Sequence, residues 1–265
     1  MPEGDTIHRT ARTLHVALAG RTLVRFDAPR LRFRPFPDGT VVEAVEARGK
    51  HCLVRFGDGR VLHTHMRMTG SWHLYRPGEP WRKRPGAARA VLEVAPAGDR
   101  EGWVAVCFAA PLVELVDEEG GPVAAHLGPD LCDADADLDE AVRRLGLLPA
   151  ATELGDALLD QRVAAGVGNV YKSEACFAAG LDPFTPVGEL DEGRRRQVVT
   201  SAARQLRANV GSVDRTTYGD GGLAVYRRAD RPCRRCGTPV RRAPQGQPPR
   251  STYWCPRCQT RPVTP

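Results

Sequence analysis

Over the first twenty positions apolar residues fall at Ile7, Ala11, Leu14 and Leu18, a spacing of three to four that puts them on one face of a helix. Asp5 and Thr6 offer oxygens suited to capping its start, and Gly20 ends it. From Thr22 the period changes. Short apolar runs, "TLVRF", "HCLVRF", "RAVLEV" and "WVAVCF", are separated by turn signals such as "GDG" and "PAGDREG", the pattern of antiparallel strands. This stretch, up to Asp117, predicts a β-sandwich. Residues 117–140 then carry nine acids and no Lys or Arg, with the glycines and prolines of "EEGGPVAAHLGPD" among them, which predicts a solvated hinge. Helical periodicity returns in "LDEAVRRLGLL", "ELGDALLDQRVAA", "NVYKSEACFAAG" and "ELDEGRRRQVVTSAARQLRANV". The expected fold class is α+β: a helix and β-sandwich over 1–117, an acidic hinge over 118–137, a helical domain over 138–224 and a cysteine-bearing module over 225–265.

Composition changes this picture in one respect. Lys and Arg outnumber Asp and Glu by 38 to 32, and the excess is local: residues 225–262 hold ten arginines and a single acid, Asp230. The rest of the chain is slightly acidic. A basic C-terminal module calls for an anionic partner. No apolar run is long enough to span a bilayer, and "PEGD" near the start lacks the layout of a secretion signal, so a cytoplasmic protein with no membrane partner is expected.

Four of the eight cysteines, Cys52, Cys107, Cys132 and Cys176, are scattered beside apolar residues and read as buried small hydrophobes. The others form Cys233-x-x-Cys236 and Cys255-x-x-Cys258, separated by eighteen residues, the spacing of a zinc ribbon. A redox dithiol needs only one such pair. Four thiolates leave no open coordination position, so the expected cofactor is one structural Zn2+ that organises a basic hairpin.

Two further stretches carry chemistry. In "DQRVAAGVGNVYKSEACF" the turn Gly166-Val167-Gly168 separates two helical patterns, with Asn169 placed to cap the second; backbone N–H groups there suit a phosphate, as does simple close packing. Lys172 lies one turn on, as surface or phosphate contact. At the start, "MPEGDT" has Met before a small residue. Its removal leaves the secondary amine of Pro2, a nucleophile next to the Glu3 carboxylate, although Pro-Glu-Gly also serves as a tight entry into a helix.

Together "PEGDT", "RGKH" around Lys50, "HLGPD", "DQRVAAGVGNVYKSEACFAAGLDP" and "CRRCG … RSTYWCPRCQ" resemble, in order and over nearly the whole chain, the motifs of the formamidopyrimidine-DNA glycosylase and endonuclease VIII family. The resemblance implies a base-excision repair enzyme with a helix–two-turn–helix domain, a zinc ribbon and damaged DNA as partner. It implies that Pro2 attacks the sugar C1′ and forms an iminium, and that Glu3 is general acid and base. A terminal amine suits the attack because its pKa, about 7.7–8.0, leaves more of it neutral than a lysine. By the same resemblance Lys50 assists at the lesion, and Arg250 grips the flanking phosphate and assists the second elimination. A guanidinium can do so with two parallel hydrogen bonds. Asn169 and His126 match positions near the DNA backbone. "HMRMTGSW" matches the loop that enters the duplex, with Met68 as filler of the vacated stack and Arg67 beside it; core packing at a strand end is the competing reading of Met68.

Relatives that act on oxidised purines carry an Arg-Arg-Phe-Gly element and a long capping segment. Here the corresponding stretches read "WVAVCFAAPLVEL" and "GSVDRTTYGDGG". The endonuclease VIII branch is thus expected: a glycosylase and AP lyase for oxidised pyrimidines, working by β,δ-elimination, monomeric, nucleoid-associated and without a small-molecule cofactor. The alternatives are an oxidised-purine glycosylase of the same family, a relative that keeps only abasic-site cleavage, and a non-catalytic zinc-ribbon DNA-binding protein. The last leaves Pro2, Glu3 and Lys50 unexplained.

Overall fold

The computed structural model describes residues 2–98, 101–117, 124–219 and 221–261. They divide into two compact units, one formed by Pro2 and Thr6–Ala125, the other by Glu3–Asp5 and the chain from His126. Of the expected acidic hinge, 118–123 lie outside the described residues.

Helix α1 (Gly4–Leu18), which belongs to the first unit from Thr6 onward, buries Ile7, Ala11, Leu14 and Leu18, the face its spacing predicts. It begins earlier than expected, so Asp5 lies within the first turn, and its buried carboxylate is held by side chains. Eight strands follow: β1 (Arg21–Asp27), β2 (Val41–Arg48), β3 (His51–Phe56), β4 (Arg60–His65), β5 (Ser71–Tyr75), β6 (Ala88–Val94), β7 (Trp103–Phe108) and β8 (Leu112–Asp117). All pairings are antiparallel, in the order β5-β7-β6-β1-β2-β3-β4-β8. Strand β1 pairs with β2 through Arg21 and Thr22 and with β6 from Leu23 onward, with a register shift between Leu23 and Arg25. A bulge re-aims a strand. It lets one strand serve both layers, whose inward residues, among them Val54, Phe56 and Leu62 from one and Trp72, Leu92 and Cys107 from the other, share a core with α1. Trp72 Nε1 donates to Thr64 Oγ1 at 3.1 Å, which satisfies the indole inside that core.

The second unit holds α2 (Leu138–Gly146), α3 (Leu154–Leu159), α4 (Asn169–Ala179), α5 (Glu192–Asn209) and a hairpin of β9 (Arg241–Gln245) and β10 (Arg250–Trp254). Asp137 caps α2 by accepting from Glu140 N, and Asp191 caps α5 by accepting from Arg194 N. The helix expected from "ELGDALLDQRVAA" stops at Leu159. Asp160 leaves the helical region and accepts from Arg162 N, and Gln161 Nε2 donates to Leu159 O and Val167 O, a turn of side-chain bonds that competes with the helix. Helix α4 is buried on all sides: of its eleven residues only Ala178 is not buried, and Gly180 closes it at φ 70°. Among the described residues no helix is long and apolar enough to cross a membrane.

Candidate active site

The first turn of α4 is filled by a carboxylate. Glu3, fully buried, accepts from Gly168 N at 3.0 Å, Val170 N at 2.8 Å and Tyr171 N at 3.3 Å. A helix start leaves these N–H groups without internal partners and carries partial positive charge. The expectation that this turn receives a phosphate, with Asn169 as its cap, is thereby corrected: the cap residue is Gly168 and the anion is Glu3. The glycines of both motifs follow from the fit. A Cβ on Gly168 would lie 2.3 Å from Glu3 Cδ, and one on Gly4 would lie 2.8 Å from Gly166 Cα and 2.6 Å from Cys132 Sγ. Gly4 N donates to Gly166 O at 2.9 Å, so "PEG" and "GVG" interlock through backbone as well.

Beneath Glu3, Arg215 makes a two-pronged pair with Asp5, Nε to Oδ2 and Nη2 to Oδ1, both at 2.6 Å, and Tyr171 OH donates to Asp5 Oδ2 at 3.0 Å. Burial, then the charge of Asp5, drives the Tyr171 phenol well above its ordinary value, so it stays a donor. Glu174, also buried, accepts from the backbone N–H groups of Ala224, Val225 and Tyr226 at 2.7, 2.9 and 2.7 Å and from the Thr217 hydroxyl. These bonds tie the short segment after α5 to the helix that holds Glu3.

The hairpin carrying Arg250 is seated on α4. Asn169 Nδ2 donates to Ser251 O at 2.8 Å. Lys172 is fully buried, and its Nζ donates to Thr252 Oγ1 at 2.6 Å; the Thr252 hydroxyl donates in turn to Gln245 Oε1 at 2.8 Å, and Gln245 Nε2 donates to Pro183 O at 2.9 Å. This corrects the expectation of a surface or phosphate-facing lysine. Burial pulls the Lys172 ammonium down to about 8. Arg250 itself is exposed at the start of β10, and His126 is exposed as well.

The four ribbon cysteines converge. Cys233 Sγ lies 3.9 Å from Cys258 Sγ and Cys236 Sγ 3.5 Å from Cys255 Sγ, with all four sulfurs within 4.8 Å of one another. Tetrahedral Zn–S bonds of about 2.3 Å require sulfurs about 3.8 Å apart, so the donor set and its spacing fit a structural zinc site.

In the first unit, Lys50 occupies the two-residue turn between β2 and β3 with Gly49 at φ 58°, half-buried, as is Pro2. Across β3 and β4, His51 pairs with His65, whose Nδ1 accepts from Arg67 N at 3.1 Å. Burial, followed by the positive charges of Lys50 and Arg67, brings His65 down to about 4. The loop after β4 turns sharply: Gly70 N donates to Met66 O, and a Cβ on Gly70 would meet Met66 at 2.7 Å. Met66 fills the core, whereas Met68 is 69 % exposed and the neighbouring Arg67, at φ 44°, is exposed too.

Residues 1–104 match the model of the formamidopyrimidine-DNA glycosylase N-terminal domain, and residues 127–218 that of its H2TH domain. The chain belongs to the formamidopyrimidine-DNA glycosylase/endonuclease VIII family. It is 45 % identical to "Probable endonuclease 8 2" of Streptomyces coelicolor, over 99 % of this chain and 95 % of that one. It is 41 % identical to "DNA-(apurinic or apyrimidinic site) lyase Nei2" of Mycolicibacterium smegmatis, over 98 % and 99 %. Its fold is that of the Lactococcus lactis Fpg solved with an abasic site containing DNA, with a TM-score of 0.80 at 21 % identity over 98 % and 100 % of the two chains.

Within this family frame, sequence reading missed Asp5, Tyr171, Glu174, Arg215 and Gln245. The available signal was an acid or amide inside an otherwise apolar stretch, such as Glu174 in "SEACF". A buried polar group of that kind demands a partner.

Proposed function

We propose that this protein is a bifunctional DNA glycosylase and AP lyase of base-excision repair, in the endonuclease VIII branch, acting on oxidised pyrimidines and abasic sites. The single observation that carries the reading is the buried Glu3 carboxylate, clamped by three N–H groups next in sequence to Pro2. With Met1 removed, the Pro2 amine attacks C1′ of the damaged nucleotide and the base leaves with the C1′–N electron pair; Glu3 takes the proton the amine gives up and passes it to O4′ as the C1′–O4′ bond opens, and the Pro2 nitrogen becomes an iminium. Glu3 moves the protons: it protonates the opening sugar and later takes protons in the eliminations. The clamp fixes where that carboxylate stands, since a displacement of about 1 Å costs about 100-fold in rate.

The other roles follow the same reading. Lys50 assists at the lesion, Arg250 holds the flanking phosphate, Asn169 and His126 lie near the DNA backbone, and Met68 with Arg67 fills the stack left by the extruded base. The exposure of Met68 favours this over core packing. Lys172 acts through the hairpin by holding Thr252. One zinc on Cys233, Cys236, Cys255 and Cys258 supplies shape to that hairpin and takes no part in the chemistry. The branch rests on two supports: the endonuclease 8 name of the Streptomyces relative, and the tethering of the short segment near Arg215, where purine-directed members carry a long cap.

The test is single-turnover base release from matched duplexes carrying thymine glycol, 5-hydroxyuracil, 8-oxoguanine opposite cytosine, or an abasic site. Faster processing of the pyrimidine lesions and abasic site is expected. Faster excision of 8-oxoguanine overturns the branch, and no cleavage of any of them overturns the activity.

A further inference from the structure

The connection from β1 to β2, "APRLRFRPFP" over 28–37, has no regular secondary structure beyond a turn at its start, yet it is firmly held. Leu31, Phe33 and Phe36 are partly buried, while Arg30, Arg32 and Arg34 are exposed. This alternation is that of an extended segment, which puts alternate side chains on one side at intervals of about 6.6 Å. Phe33 meets Phe26 edge-on at 4.9 Å, and Phe36 lies 5.0 Å from Phe26 and 4.6 Å from Phe56, so the inward side is anchored in aromatic packing. Arg60, at the start of β4, clamps the backbone. Its guanidinium lies 3.6 Å over the Phe36 ring and donates to Arg34 O at 2.5 Å and Pro35 O at 3.3 Å, while Asp58 accepts from its Nε and Nη2 at 2.8 and 2.6 Å.

The outward side is unbalanced in charge. Residues 28–37 contain three arginines and no acid. Among the described residues Arg30, Arg32 and Arg34 enter no ion pair, whereas other exposed arginines do, Arg25 with Asp27, Arg143 with Glu140, Arg162 with Asp160 and Arg196 with Asp139. Three like charges side by side repel one another, and a rigid mount forbids them from spreading. Such an arrangement suits a polyanion whose charges are also regularly spaced. It lies outside the arginine-rich ribbon, in a unit that the charge balance of the sequence leaves otherwise unremarkable.

We infer that this arginine strap is a second binding surface for DNA, gripping the phosphate backbone away from the lesion through guanidinium–phosphate pairs. The inference rests on the DNA-repair reading above. The strap adds affinity that is independent of sequence and lesion, and it has no part in the chemistry. Each phosphate neutralised contributes about 0.9 to the slope of log affinity against log salt.

The test uses the full-length, zinc-loaded protein and its Arg30→Gln/Arg32→Gln/Arg34→Gln variant. Dissociation constants are measured on undamaged and abasic-analogue duplexes of about 25 base pairs, from about 50 to 200 mM salt. The variant should show a slope shallower by about 2.7 on both duplexes, so that across the fourfold rise in salt the native protein loses about 40-fold more affinity than the variant. Its single-turnover cleavage at saturating enzyme should match the native protein. A slope within about half a unit of the native value, in a variant of unchanged melting temperature, overturns the strap. A loss confined to the abasic-analogue duplex overturns it as well, since that would make these arginines lesion readers. If the native protein binds neither duplex, it is the underlying DNA reading that fails.

Discussion

Gly168→Ala isolates the grip on Glu3. Gly168 sits at φ −119° and ψ −164°, extended backbone that alanine adopts freely, so the substitution adds no conformational strain. The whole effect is the new Cβ, which would stand 2.3 Å from Glu3 Cδ, 2.5 Å from Cγ and 2.7 Å from Oε1. Ordinary contact requires about 3.5 Å, so Glu3 must retreat by roughly 1 Å from a site with no exposed surface to retreat into. Overpacking of this kind costs about 1–3 kcal/mol, which for a chain of this size lowers the melting temperature by about 2–12 °C. A displacement of about 1 Å at the general acid–base should cost about 100-fold in rate. The assay is base release with enzyme in excess over a thymine-glycol duplex, read beside thermal unfolding. The two positions should also be coupled: in a Glu3→Ala background the obstacle is gone, and Gly168→Ala should then cost much less stability. A Gly168→Ala protein within threefold of the native rate, or an equal loss of stability in both backgrounds, would refute the clamp.

Three further outcomes follow. His65, held down to about 4 by burial, Lys50 and Arg67, should titrate in NMR near that value; a midpoint at its ordinary 6.5 contradicts the geometry. Because its folded pKa lies below its unfolded one, its contribution to stability is present above 6.5 and is lost as the pH falls toward 4, so His65→Gln should unfold less readily than the native protein in that window. Zinc removal by chelation, or Cys255→Ser, should weaken DNA binding and flatten its salt dependence by about one unit, as should Arg250→Ala, because the hairpin presenting Arg250 depends on the metal; unchanged affinity after chelation would detach the ribbon from DNA. Glu3→Gln should slow base release more than cleavage of a preformed abasic site, measured on the two substrates in parallel; equal losses contradict the proton-transfer role of Glu3.

What the sequence carries openly is whatever is local. The face of α1, the alternation of the strands and the two Cys-x-x-Cys knuckles can be read from spacing because their determinants lie within a few residues. The partner of Glu3 could not be read that way, since Gly168 lies 165 positions away and Arg215 is 210 from Asp5. Lys172 shows why a solvated reading fails: α4 is buried all round, so no polar face exists to mark which lysine points outward. The early end of α3 is a similar case, where helical composition runs on but Asp160 and Gln161 offer the backbone side-chain partners that end it. Met66 and Met68 differ by two positions and look equivalent in the sequence; only the turn closed by Gly70 buries one and exposes the other.

The central claim is that Pro2 bonds covalently to the sugar while Glu3 moves the protons, and borohydride trapping on an abasic duplex tests it most directly. The native protein should yield a permanent cross-link that peptide mass spectrometry places on Pro2, and Pro2→Ala or an uncleaved N-terminal extension should abolish most of it. A cross-link of undiminished yield in the blocked protein, or one mapped to Lys50 in the native protein, would contradict the account.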